Sequence, residues 1–264
     1  MMEWLAYLAI GAVVGFLAGL LGIGGGAVIV PMLVMVFTAQ GLPGEHVLHL
    51  ALGTSLATIF FTSASSTLAH HRRGAVDWAV ARAMAPGILA GSFGAAVAAS
   101  AIPTRPLAVV FTAIAFYAAT TIFFDLKPRR TRELPGAAGI FAAGGVIGIA
   151  SSLLAAGGAF LSIPFLAWCN VPLRRAIGTA AANGFPIAVA GSAGYVLQGL
   201  RAAGLPAWSA GYVYLPAFAL IAAASMLLAP VGARMAYVLP VKPLRLLLGV
   251  VLYGLTLRTL VSLW

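Results

Sequence analysis

The sequence of 264 residues is poor in cysteine and in charge. Its single cysteine, Cys169, excludes an internal disulfide and a paired-thiol redox relay. Only 8% of the residues are charged, whereas 62% are hydrophobic. A soluble domain of this size cannot bury that much apolar surface, so the composition excludes one. Apolar runs of about 18 residues or more recur along the chain, which is typical of a polytopic α-helical membrane protein.

Acidic residues are also few, and the formal net charge is +10. Such a charge is compatible with nucleic-acid binding, but basic loops on the cytoplasmic side of a membrane explain it better. We therefore expect a lipid bilayer as the environment and no nucleic-acid partner. No Asp, Glu, Lys or Arg falls in the centre of a predicted crossing, so nothing in the sequence indicates a carboxylate proton relay.

Glycine, by contrast, is concentrated where a membrane helix would least tolerate it. The stretch GLLGIGGGAVIVP at 19–31 contains five glycines among thirteen residues and lies between two apolar runs. We predict that Gly24, Gly25 and Gly26 let the backbone turn inside the membrane, where irregular backbone must be covered by protein or line an aqueous cavity. The alternative is close helix packing.

Helix packing suits a different set of glycines, which are spaced by four residues: Gly11, Gly15 and Gly19. A β-branched side chain resists the backbone conformations of a turn. We therefore expect Gly25→Val and Gly158→Val to be more harmful than Gly15→Val.

The chain contains an internal duplication. Residues 15–33 align without a gap with 148–166, and 51–61 align with 176–186. Two later blocks follow in the same order: Trp78 and Pro86 match Trp208 and Pro216, and 102–117 match 239–254. Such a duplication is typical of transporters. It divides the chain into a first repeat at 1–125, a cytoplasmic linker at 126–135 and a second repeat at 136–264.

Each repeat is predicted to contain a glycine-broken helix pair and three transmembrane helices. In the first repeat these are 4–21 and 27–39, then 47–69, 77–100 and 105–125; in the second they are 136–156 and 159–169, then 176–200, 209–231 and 242–262. The segment 159–169 spans about 16 Å as a helix and cannot cross a core about 30 Å thick. We therefore predict that each pair is re-entrant.

Loop charge supports this arrangement. With re-entrant pairs each repeat makes three crossings, so the two repeats are inverted and both termini are periplasmic. One face then carries three basic residues, Arg105, Arg201 and Arg258. The other carries twelve: Arg72, Arg73, Arg82, Lys127, Arg129, Arg130, Arg132, Arg174, Arg175, Arg234, Lys242 and Arg245. This split follows the positive-inside rule better than the nine-to-six split obtained if each pair crosses.

The predicted turns indicate an anion site. The helices that follow them begin inside the protein, and helix N-termini attract anions through free N–H groups and the helix dipole. Polar residues lie nearby in the next helix of each repeat, at matching spacing. The predicted site residues are Gly24, Gly25, Gly26, Thr54, Ser55, Thr58, Gly157, Gly158, Thr179 and Asn183. The alternative for each threonine is a bond to its own helix.

Other polar residues are weaker candidates. Ser151, Ser152 and Ser162 follow the same logic with less support, whereas Ser63, Ser65, Ser66 and Ser192 are predicted to be packing residues. His70 and His71 are predicted to be solvated in a basic loop. His46 and His49 lie three residues apart, but no second cluster accompanies them, so we expect no metal site.

The block LLGIGGGAVIVP, the block ALGTSL and their repetition resemble the sulfite exporter TauE/SafE family, also called the 4-toluene sulfonate uptake permease family. The resemblance implies a multi-pass secondary transporter of the bacterial inner membrane. Its substrate would be a small sulfur-containing anion, such as sulfite, sulfoacetate or another organosulfonate. The family contains exporters and importers; the basic inner loops favour export. The second repeat departs from the pattern, because it reads LLAAGGA.

Three other function classes share some features with this sequence: an enzyme, a membrane scaffold and a channel. GIGGGA at 22–27 formally fits a dinucleotide-binding fingerprint, but an apolar helix precedes it instead of a strand. An intramembrane serine protease built on Ser192 lacks a histidine in the second repeat. We therefore expect no enzyme and no cofactor. A non-transporting membrane scaffold and an anion channel stay as alternatives, and the sequence is compatible with a homodimer.

Overall fold

The computed structural model describes residues 2–21, 25–124, 133–235 and 241–262. The predictions made for Gly22, Gly24, the basic linker residues between 125 and 132 and the C-terminal Trp264 lie outside the described residues. The side chains of Lys242 and Arg245 also lie outside them.

The described part of the chain is helical apart from one short hairpin. Its elements are α1 (Met2–Leu21), α2 (Gly26–Ala39), α3 (Val47–His71), α4 (Trp78–Ser100), α5 (Thr104–Phe123), α6 (Ala137–Leu154), α7 (Ala159–Trp168), α8 (Leu173–Gly199), β1 (Ser209–Ala210), β2 (Val213–Tyr214), α9 (Leu215–Met235) and α10 (Val241–Ser262). Seven of the described helices are long and apolar enough to cross a membrane. The prediction of an all-helical, multi-pass membrane protein is confirmed.

One predicted boundary is wrong. The helix expected over 209–231 begins at Leu215, because β1 and β2 form an antiparallel hairpin before it. Trp208 has φ 66° and Gly211 has φ 57°, values that a helix does not accommodate. Gly211 also lies so close to the Val196 carbonyl of α8 that a Cβ would overlap it. The hairpin therefore docks tightly on α8.

The arms of each broken pair differ in length. α1 has 20 residues and α6 has 18, and each is long enough to cross. α2 has 14 residues and α7 has 10, which correspond to helix lengths of about 21 Å and about 15 Å. Both are shorter than a hydrocarbon core about 30 Å thick.

The long arms pack against helices of the other half. α1 lies along α9, and α6 lies along α4. A Cβ at Gly11 would lie 2.7 Å from the Ile221 carbonyl oxygen, and one at Gly15 would overlap the Ser225 backbone. The prediction that Gly11 and Gly15 serve helix packing is confirmed. Gly15→Val is consequently not the mild control that the sequence suggested.

The contacts define two ends of the bundle. At the Glu45 end, which holds loops 40–46, 101–103 and 200–208, Thr104 Oγ1 donates to the Glu45 carbonyl and the Tyr212 ring stacks on His49. At the Arg72 end, which holds loops 72–77 and 169–172, the Asp77 N–H donates to Thr179 Oγ1. α3 and α8, the aligned central helices, run antiparallel between these ends, since Gly53 lies beside Tyr195 and Ser63 beside Gly184.

The first broken pair returns to the end at which it starts. The Tyr7 hydroxyl donates to Gln40 Oε1 at 3.0 Å, and Gln40 Nε2 donates to the Tyr7 hydroxyl oxygen at 2.7 Å. The start of α1 is therefore level with the end of α2 at the Glu45 end. The second pair behaves similarly, because α6 runs parallel to α4 from the Arg72 end and α8 also starts there.

The described basic residues divide unequally between the ends. Toward the Arg72 end lie Arg72, Arg73, Arg82, Arg174, Arg175 and Arg234; toward the Glu45 end lie Arg105, Arg201 and Arg258. For the part of the chain that the structure describes, this is the grouping expected from the sequence.

Candidate functional site

Both predicted turns are present, and they have the same backbone conformation. Gly25 has φ 70° and ψ −15°, and the aligned Gly158 has φ 76° and ψ −9°. This left-handed region strongly favours glycine. A Cβ at Gly25 would overlap the Val14 side chain, and one at Gly158 would lie 2.5 Å from Ile187 Cδ1. The glycines thus turn the chain and admit close neighbours.

The two turns meet in the interior of the protein. Gly26 packs against the Ala155 carbonyl so closely that a Cβ would overlap the oxygen. Ser55 Oγ donates to the same carbonyl at 3.3 Å. Ala155 itself has φ 48° and aligns with Gly22 of the first repeat. The predicted site residues Gly25, Gly26 and Ser55 are therefore brought together at the second turn.

Two helices begin at these turns. The Val28 and Ile29 N–H groups donate to the Gly25 carbonyl, and those of Leu161 and Ser162 donate to the Gly158 carbonyl. The N–H groups that precede them have no acceptor within their own helix. Each turn therefore presents backbone donors and the positive end of a helix dipole to the buried centre.

Buried polar groups without partners surround the second turn. Asn183 Nδ2 lies 3.4 Å from Ser162 Oγ and 3.5 Å from Met84 Sδ. Among the described residues, nothing bonds to Asn183 Oδ1 or to the hydroxyls of Ser151 and Ser152, and all three side chains are fully buried. Buried polar groups normally find partners, so such a cluster is typical of a ligand site.

The two turns contribute unequally. The first-repeat positions that align with Ser151, Ser152 and Asn183 are Ala18, Gly19 and Thr58. Thr58 Oγ1 donates to the Ser55 carbonyl of its own helix at 2.7 Å. Free polar groups therefore gather at the second turn. Ser151 and Ser152, which the sequence offers only as weaker candidates, therefore join the candidate site in the structure.

The two Gly-Thr motifs, Gly53-Thr54 and Gly178-Thr179, make contacts that differ from those of the other predicted site residues. Thr54 Oγ1 accepts from the Tyr214 N–H at 2.9 Å, and Thr179 Oγ1 accepts from the Asp77 N–H at 3.0 Å. Each donor immediately precedes a helix of the other repeat, α9 or α4.

The glycine before each threonine permits this approach. A Cβ at Gly53 would overlap the Tyr212 carbonyl, and a Cβ at Gly178 would overlap the Ala75 carbonyl. Both Gly-Thr motifs therefore dock one repeat on the start of a helix in the other, which the sequence alone did not reveal.

One small cavity adjoins this centre, and a larger pocket lies apart from it at one end of the bundle. A cavity of about 10 Å³, roughly the room for one water molecule, is lined by Ala18, Thr62, Ser63, Ser66, Gly157, Ala181 and Gly184. A larger pocket of about 760 Å³ opens at the Glu45 end, where Glu45, His46, His49, Arg105 and Tyr212 contribute to its wall. Burial raises the pKa of the Tyr212 phenol, so this hydroxyl stays protonated at neutral pH.

The prediction that His70 is solvated is wrong. α3 extends to His71, so His70 lies in its last turn and is only 4% exposed. His71 is exposed, and its Nδ1 accepts from Trp78 Nε1 at 3.0 Å. The sequence signal for burial was the spacing of His70 four residues after Ser66 and eight after Thr62.

In the described part of the chain, seven helices of membrane-spanning length around a glycine-broken, polar centre define a multi-pass helical membrane protein of the kind that moves solutes. The chain belongs to the sulfite exporter TauE/SafE family of membrane transporters, whose profile matches residues 7–259. The family predicted from the two glycine blocks is confirmed.

Relatives from other organisms support this assignment. A probable membrane transporter protein of Haemophilus influenzae is 35% identical over 241 residues, which cover 90% of this chain and 90% of that protein. YdhB of Bacillus subtilis and MJ0441 of Methanocaldococcus jannaschii, both probable membrane transporter proteins, are 29% identical over 70% and 64% of this chain and over 76% and 63% of their own lengths. No solved structure matches significantly.

Proposed function

We propose that the protein is a secondary transporter that moves a small sulfur-containing anion, such as sulfite, sulfoacetate or another organosulfonate, across the bacterial inner membrane by alternating access. Export is the favoured direction, because the basic Arg72 end would gather anions at the cytoplasmic mouth. The anion is held at the contact between the two turns, nearer the second.

The observation that carries this proposal is the pair of helix starts that meet beside unpaired polar groups. A multi-oxygen anion accepts several hydrogen bonds at once, and the backbone N–H groups of α2 and α7 and the Ser151 hydroxyl can donate them. Rotation of the Asn183 amide by half a turn would present Nδ2 in place of the unpaired Oδ1. A cation is disfavoured, because both helix starts carry partial positive charge.

Within this proposal the two repeats are inverted. The supporting features are the antiparallel course of α3 and α8 and the equivalent packing of α1 on α9 and α6 on α4. Six helices cross, namely α3, α4, α5, α8, α9 and α10, and both broken pairs are re-entrant. α1 and α6 are also of spanning length, but each is followed by a short helix, α2 or α7, that returns the chain to the end at which the pair starts. The Arg72 end is cytoplasmic, and the Glu45 end and both termini are periplasmic.

This topology predicts opposite signals from two reporter fusions. Gly74 and Gly204 lie in loops at opposite ends, and no described atom would crowd a Cβ at either. A reporter fused after Gly74 should give a cytoplasmic signal, and one fused after Gly204 a periplasmic signal. Matching signals from the two fusions would contradict the proposed inversion.

Anion binding tests the proposed site directly. We expect sulfite or an organosulfonate to bind the purified protein in calorimetry, and we expect Asn183→Leu to weaken binding about tenfold or more, since each bond to a charged ligand contributes about 1.5–3 kcal/mol. The leucine removes the long Nδ2 contact with Ser162 Oγ at 3.4 Å but also a buried carbonyl that has no partner among the described residues, so we expect the thermal stability to change little.

Two comparisons make this experiment decisive. Ser192→Ala is a matched control on the same helix, because Ser192 bonds only to carbonyls of its own turn among the described residues and should leave binding unchanged. Sulfate, isethionate and short carboxylates measure selectivity among anions. Binding of a cation or neutral solute, with no binding of sulfite or sulfonates, would refute the proposed function.

A further inference from the structure

A buried polar face runs along α3 from the turns toward the Arg72 end. Thr62, Ser66 and His70 lie four residues apart on this face and continue the line of Thr58. All are at least 95% buried. Thr62 Oγ1 is 2.9 Å from Ser225 Oγ and is satisfied. Among the described residues, nothing bonds to the Ser66 hydroxyl or to either ring nitrogen of His70.

Of the residues with unpaired groups on this face, Ser66 adjoins a small cavity. The cavity of about 10 Å³ has Ser66 and Thr62 on one side and Gly157 of the second turn on the other. Across it, Gly184 of α8 lies so near α3 that a Cβ would be 3.0 Å from Ser63 Cβ. The second turn and the α3 face are therefore joined by room for one polar atom.

The aligned helix α8 lacks this face. With the offset that matches Thr58 to Asn183, the residues Thr62, Ser66 and His70 correspond to Ile187, Gly191 and Tyr195. Because α8 runs antiparallel to α3, these three residues lie toward the Glu45 end. Of these, only Tyr195 carries a side-chain polar atom, so the continuous polar lining leads from the turns to the basic Arg72 end.

We propose that an oxyanion travels between the turns and the Arg72 end along this face of α3, and that Ser66 and His70 contact it on the way. This inference rests on the proposed anion transport and extends it to residues outside the central site. A hydroxyl and an imidazole N–H both donate to oxyanions, and Arg72 and Arg73 follow directly at the mouth.

The first test removes the two donors and compares them with an aligned control. His70→Phe and Ser66→Ala should each reduce transport of labelled sulfoacetate in liposomes about tenfold, while the melting temperature stays level or rises because an unpaired buried polar group is lost. Tyr195→Phe removes a buried hydroxyl that is also unpaired among the described residues and should leave transport unchanged. Wild-type transport by both His70→Phe and Ser66→Ala would overturn the proposal.

The second test does not depend on these variants keeping their activity. In a Cys169→Ala background, Ser66→Cys should react with a membrane-impermeant anionic thiol reagent added from the Arg72 side, and sulfoacetate should slow the reaction. Ala188→Cys, a buried α8 position that aligns with Ser63, should not react. If the wild type transports sulfoacetate but Ser66→Cys is not labelled, or sulfoacetate does not slow its labelling, the proposed path is wrong. If the wild type transports no sulfur anion, the proposed function itself is wrong.

Discussion

Gly26→Ala should abolish accumulation of folded protein. The Cβ of an alanine would overlap the carbonyl oxygen of Ala155, which is backbone and cannot rotate away, and would also lie 2.7 Å from Ile59 Cδ1. The two turns would have to separate, and overpacking of a well-packed interior typically costs about 1–3 kcal/mol or more. Expression and a thermal melt in detergent would measure the loss.

Three other glycine variants provide the comparison for Gly26→Ala. Gly94→Ala, in the middle of α4, meets no described atom within 4 Å of its Cβ and should be neutral or stabilising by up to about 1 kcal/mol. Gly25→Val and Gly158→Val should be nearly as harmful as Gly26→Ala, because each also forces a β-branched residue to positive φ. Normal folding and transport in Gly26→Ala would show that the turns do not meet as described.

Thr54→Val and Thr179→Val should destabilise the protein without altering its shape. Valine keeps the volume but removes the oxygen that accepts the N–H of Tyr214 or of Asp77. A buried N–H left without an acceptor costs about 1–3 kcal/mol. Because the two sites lie at opposite ends, the double variant should lose about 2–6 kcal/mol, measured by unfolding in detergent.

Serine substitutions at the same two positions, and a valine substitution at a third threonine, provide the controls. Thr54→Ser and Thr179→Ser retain the acceptor and should recover most of the stability. Thr121→Val removes a hydroxyl that bonds to the Ala118 carbonyl of its own helix at 2.8 Å and should change stability little. Loss of anion affinity in Thr54→Val at unchanged stability would reverse this interpretation and return Thr54 to the ligand site.

Local glycine chemistry explains why the turns could be predicted. A run of glycines between apolar helices, repeated at an aligned position, permits few structures in a membrane, and both helix breaks occur at these glycines. The boundary of α9 could not be predicted in the same way. Its start depends on a hairpin held by Val196 of a distant helix, and local sequence carries no record of that contact.

The candidate site also contains features that depend on local sequence and features that depend on contacts between distant helices. Gly25, Gly158 and Asn183 can be proposed from the sequence, because a backbone turn and a repeated polar spacing are properties of short segments. Thr54 and Thr179 were assigned to a ligand, whereas the structure shows each hydroxyl accepting a backbone N–H from the other repeat. The basic neighbours of His70 suggest a solvated loop, whereas its helical spacing from Thr62 and Ser66 is the local signal of the burial that the structure shows.

The sequence by itself therefore determined the class of the protein, its duplication and the positions of its turns, since composition, periodicity and glycine content act locally. Only the tertiary structure decided that the two turns touch, that the Gly-Thr motifs join the repeats, and that free polar groups gather at the second turn and along α3. These features depend on which surfaces of distant helices face each other. In a chain this rich in small apolar residues, many helix faces have similar composition, so packing between them selects the partners.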